Sequence, residues 1–154
     1  MATINAKVVN VRMVETEDGI VYRVTFDTKF DGIIKRDGEY VEDVVDYINF
    51  IPRVLIAQII DKVGDLGVIY SHIKETAIVN GGEPFTAAVL SAYIAGSSVT
   101  LEREKFAAGS EYTNSKGETL THEHDGYSTD IVEVKLSDKG QARVDKKVDA
   151  ILGF

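Results

Sequence analysis

The chain has 154 residues, a formal net charge of −8 and no cysteine, a length that fits one domain. The missing cysteine excludes disulfides, thiolate nucleophiles and cysteine-ligated zinc or iron–sulfur sites. The acid excess excludes a uniformly basic coat for nucleic acid, whose non-specific binding runs on Lys and Arg neutralising phosphates, and confines any such binding to a local groove.

In chain order, Ile4–Val14 reads as a strand rich in β-branched residues, with Ile4, Ala6, Val8 and Asn10 alternating against Asn5, Lys7, Val9, Val11 and Met13. Asp18-Gly19 signals a hairpin turn into a second strand, Ile20–Phe26, where Tyr22, Val24 and Phe26 share one face and Val21, Arg23 and Thr25 the other. The stretch Thr28–Glu42 carries two turn signals, Phe30-Asp31-Gly32 and Asp37-Gly38, and is expected to be a long excursion with a small protruding hairpin. Val44–Ile51 is a third strand, with Val45, Tyr47 and Asn49 opposite Ile48 and Phe50. Pro52 ends it and suits a helix start.

Apolar residues near a 3.6-residue period predict a helix over Arg53–Val63, stopped at Gly64. A second helical piece is expected over Asp65–Ile78, a loop at Val79-Asn80-Gly81-Gly82, and a third helix over Pro84–Ala95 ended by Gly96. Alternation returns over Ser98–Phe106 and over Tyr127–Leu136, on either side of a polar run from Ala107 to Gly126. In the tail, Ser137–Phe154, the residues Val144, Val148, Ile151 and Leu152 fall on one helix face.

This order predicts a mainly β (α+β) single domain over residues 1–154: a five-stranded antiparallel OB-like barrel, with helices inserted after the third strand and a C-terminal helix. The start, Met1 to Lys7, lacks the pattern of a signal peptide. The longest nearly uncharged stretch, Pro84 to Leu101, is too rich in Ser and Thr to span a bilayer. No membrane partner and a cytoplasmic protein are the expectation.

Three segments resemble OB-fold single-stranded DNA-binding proteins of the bacteriophage type. They are the hairpin Lys7–Arg12 to Tyr22–Phe26, the entry Gly96–Arg103 into a fourth strand, and the entry Gly126–Val132 into a fifth. The resemblance implies sequence-tolerant binding of single-stranded DNA in replication or repair, with bases stacked on aromatic rings, and the host cytoplasm if the protein is phage-encoded.

Such binding needs flat rings for bases and cations for phosphates on one surface. Tyr22 and Tyr47, joined by Tyr112 from the polar run, are the candidate stacking rings. Arg23, Lys29, Arg103 and Lys105 are the candidate phosphate contacts. Strand alternation sets Tyr22 and Arg23 on opposite faces, so they share a surface only across a bulge. His122 and His124, at i and i+2, share a strand face but lack the third and fourth ligands of a zinc site. With no H-E-x-x-H, P-loop or G-x-S-x-G pattern, neither cofactor nor catalysis is expected. The alternative is a virion or assembly protein that packs by self-association, and a homo-oligomer fits either reading.

Overall fold

The computed structural model describes residues 2–76, 83–114 and 116–153. The elements run β1 (Ala2–Thr16), β2 (Gly19–Arg36), β3 (Glu39–Phe50), α1 (Pro52–Lys62), α2 (Gly64–Thr76), α3 (Ala87–Ile94), β4 (Ser98–Phe106), β5 (Glu111–Thr113), β6 (Thr119–Thr121), β7 (Gly126–Lys135) and α4 (Asp138–Leu152). Five strands form one antiparallel sheet in the order β3-β2-β1-β4-β7, and β5 and β6 form a separate two-stranded ribbon. The strands expected from alternation are all present, as are the helices after the third strand and at the C-terminus. The loop expected at Val79–Gly82 lies outside the described residues.

The strand β1 serves two ladders. Ala2–Lys7 pair with β4, whereas Val8–Thr16 pair with β2, and the register slips between Val8 and Asn10. A bulge leaves one residue unpaired and bends its strand. Here it makes Val9 the outlier, exposed between the buried Val8 and Val11. The inward set is therefore Ala6, Val8, then Val11, and not the unbroken even-numbered series that alternation predicts.

A larger irregularity splits β2. Thr25 pairs with Tyr47 and Phe30 with Val45, so Phe26–Lys29 on β2 oppose the single residue Asp46. Before this bulge β2 lies between β1 and β3; beyond it, Phe30–Arg36 pair with β3 alone. The excursion expected over Thr28–Glu42 is thus a continuation of the same two strands into a ribbon arm. Its turn is at Asp37-Gly38, both with positive φ (53° and 83°), the geometry of a tight hairpin turn. Gly32 is not a turn residue: a Cβ there would lie 2.7 Å from Val45 Cγ2, so this glycine lets the two strands of the arm pack side chain over backbone.

The core is made by the inward face of the sheet (Val8, Val11, Tyr22, Val24, Phe26, Phe50, Val99, Leu101, Ile131) and by Leu55, Ile59, Leu66, Ile69, Phe85, Leu90, Ile94 and Val144 from the helical layer. Pro52 opens α1. The α3 helix is shorter than expected, because Thr86 caps it by accepting the Val89 N–H. Ser137 caps α4 in the same way through the Gly140 N–H. Where β7 bulges, Gln58 of α1 accepts the Ile131 N–H at 2.9 Å. Among the described residues no helix is long and apolar enough to cross a membrane.

Candidate functional site

The outer strands β3 and β7 make no ladder with each other, yet the sheet curls until its two ends approach. Arg103 on β4 donates to the Asp31 carbonyl on β2, and Lys105 on β4 pairs with Glu42 on β3. Between the edges lies a cleft of about 540 Å³. Its walls are Arg23, Tyr47 and Asn49 from the β2–β3 side, and Arg103, Tyr127 and Thr129 from the β4–β7 side.

On the first wall, register places Arg23 opposite Asn49 and Thr25 opposite Tyr47, so Arg23 and Tyr47 are diagonal neighbours on one face. The Arg23 Nε donates to Asn49 Oδ1 at 2.9 Å, and its guanidinium lies 4.2 Å from the centre of the Tyr47 ring. Both side chains are half-buried. They form a flat, cationic surface already oriented by a hydrogen bond.

The second wall is built differently. Arg103 is 7% exposed. Its guanidinium sits between the rings of Tyr127 (4.3 Å) and Phe30 (4.7 Å), and it donates to Thr129 Oγ1 at 3.1 Å as well as to the Asp31 carbonyl. Burial pushes its pKa down from the ordinary value, opposed by Tyr127 and Asp31. An arginine nevertheless stays charged.

Two arms flank the cleft. The β2–β3 arm brings Tyr40, 43% exposed, whose ring stacks on His124 at 3.8 Å. The β5–β6 arm carries Tyr112, 39% exposed, which stacks on His122 at 4.4 Å. His122 in turn stacks on Phe106 at 3.7 Å, and Phe106 lines the cleft. A file of rings therefore runs from the arm into the cleft. Gly126 makes room for it, since a Cβ there would meet the Phe106 ring at 2.4 Å.

Of the residues singled out in the sequence, Arg23 and Tyr47 come together in the cleft, and Tyr112 stands on the adjacent arm. Tyr22 does not serve as a stacking ring: it is 5% exposed, and its hydroxyl donates to the Phe85 carbonyl at 2.8 Å. Burial, with Glu83 nearby, raises its pKa above the ordinary tyrosine value. Arg103 is enclosed between rings and is not free to track phosphates. Lys105 is exposed but engaged by Glu42. Lys29 is exposed in the β2 bulge, outside the cleft lining. Sequence reasoning missed Tyr40 and Phe106 as wall residues. The signal for Tyr40 was its place beside the Asp37-Gly38 turn, where a ring is held out from the core.

The two histidines do not converge on a common point, each being stacked on its own ring. Among the described residues no group of three His, Cys, Asp or Glu side chains is arranged to hold a metal ion. Flat faces and one oriented guanidinium suit non-covalent capture of planar, anionic groups. Comparison of the chain with family models, with curated proteins and with solved structures returns no match.

Proposed function

We propose that the protein is a non-enzymatic single-stranded DNA-binding protein that holds the strand in the cleft between β3 and β7. In this reading the curled sheet is an OB-like barrel left open between its third and fifth strands. Oligonucleotides bind OB barrels on the strand 2–3 face and on the loop between strands four and five. The corresponding places here are the Arg23–Tyr47 wall and the β5–β6 arm, which interrupts the chain between β4 and β7. The observation that carries the reading is the half-buried Arg23–Tyr47 pair, with a base-sized face and a cation on one surface.

The net charge of −8 is compatible with this mode, because ring stacking supplies about 1–3 kcal/mol per base beside a cationic groove that need only be local. Fluorescence anisotropy of a labelled oligothymidylate, titrated at two salt concentrations, tests the reading. Saturable binding that weakens with salt and resists competition by duplex DNA is expected. No binding at low salt by a folded protein overturns it. Self-association stands as a second reading on one observation: β3 is an edge strand whose outer side pairs with no other strand of the sheet, with Val44 exposed on it, a template for pairing with another chain. A large species on a sizing column, with no DNA binding, favours it.

A further inference from the structure

A second surface, sharing no residue with the cleft, lies where α3 and α4 cross. Ala88 and Ala92 on α3, with Ala95 at its C-terminal cap, form one wall, spaced i, i+4 and i+7. On α4 the facing wall carries Lys139, Arg143, Lys146 and Lys147. Ala92 and Arg143 border both halves of the groove, which makes it continuous. Val89 and Tyr93 form a half-buried floor, and the Tyr93 ring backs onto Phe85. The crossing is fixed by Gly140, where a Cβ would stand 2.5 Å from the Tyr93 carbonyl.

The charge on this surface opposes that of the whole chain. At a helical period of 3.6 residues, Asp138, Asp145 and Asp149 stack on one side of α4. The four cations fall on another side, and Val144 and Val148 face inward. The cations take part in none of the ion pairs between described residues. A short alanine wall lets another backbone approach closely, whereas it offers no ring faces for bases. From Lys139 to Ala150 the groove runs about 16 Å, or roughly three helical turns.

We infer that this groove docks an acidic amphipathic helix of a partner protein, with apolar side chains over Val89 and Tyr93 and carboxylates against Arg143, Lys146 and Lys147. The inference does not depend on what the cleft binds. The probe is a fluorescein-labelled peptide of about twelve residues, with leucines at i, i+3, i+4 and i+7 and glutamates elsewhere, paired with a twin in which every glutamate is glutamine. The intact protein should bind the glutamate peptide about tenfold more tightly than the twin, as a few partly exposed ion pairs would give. The double variant R143E/K147E should lose that preference while keeping its melting transition and its affinity for oligothymidylate. The variant Ala92→Trp, which fills the groove at an exposed position, should weaken both peptides. Equal affinity for the two peptides overturns the inference, as does a preference that survives R143E/K147E. Oligothymidylate that displaces the peptide, and that itself binds R143E/K147E more weakly, would assign the surface to nucleic acid and overturn it too.

Discussion

The two walls of the cleft each place a guanidinium over a tyrosine ring, and they differ in what surrounds the pair. Arg23 and Tyr47 are half-buried, and a hydrogen bond to Asn49 orients the guanidinium. The Arg103 guanidinium, over Tyr127, is roofed by Phe30 and tied to a backbone carbonyl on another strand. The same local chemistry thus yields an open face in one place and a brace in the other. Burial decides between them, because a charged group withdrawn from water must spend its donors on the protein.

Substitutions can break this contrast, and the largest effect is expected at the brace. Arg103→Ala strips the Asp31 carbonyl and Thr129 of a charged donor and empties the space between two rings. A loss of about 3 kcal/mol in stability is expected, read as a lower urea midpoint. A variant that instead keeps its midpoint and loses DNA would make Arg103 a ligand contact after all.

Tyr47→Ala should leave the midpoint within about 0.5 kcal/mol and cost roughly 1–3 kcal/mol of DNA affinity, nearly independent of salt. Anisotropy at two salt concentrations checks it, and unchanged affinity would remove Tyr47 from the site. Tyr22→Phe sharpens the contrast from the core side. It leaves the Phe85 carbonyl without its hydroxyl donor, so about 1 kcal/mol of stability should go while DNA affinity stays as in the parent. The smallest effect is that of one half-buried charge: Arg23→Gln should flatten the salt dependence of binding by about 0.7 in logarithmic slope. A slope equal to the parent's would mean that Arg23 meets no phosphate.

Much of the fold was legible because its elements obey simple periods. The hairpin at Asp18-Gly19, the strand ending at Pro52, the helix after it and the alternation over Ser98–Phe106 are all local signals, and all are present. What was not legible is which way each side chain faces, since a bulge resets alternation without leaving a mark in composition. Val9 is one such point. Phe26–Lys29 is another. Val132 is a third, lying between the paired Ile131 and Glu133 so that the inward set passes from Ile131 to Val134. Gly32 looks like a turn residue in sequence because the demand for it comes from Val45 on the neighbouring strand. The site inherits these limits. Arg23 and Tyr47 were separable from Tyr22 by alternation alone, since no bulge intervenes between Arg23 and Thr25. The burial of Arg103 depends on Phe30 and Tyr127, which are distant in sequence and meet only when the sheet curls.

The divided strand β1 also bears on how the chain is made. Its second half finds β2 across a tight turn, a contact of low sequence separation that forms early. Its first half, Ala2–Lys7, must wait for Ser98–Arg103, which leaves the ribosome only after all of β2, β3 and the three helices between. Until then Ala2–Lys7 is an open edge, and its alternating Asn5 and Lys7 keep the solvent side polar in the interval. Ala2–Lys7 are therefore synthesised well before their partner strand and are among the last to be secured.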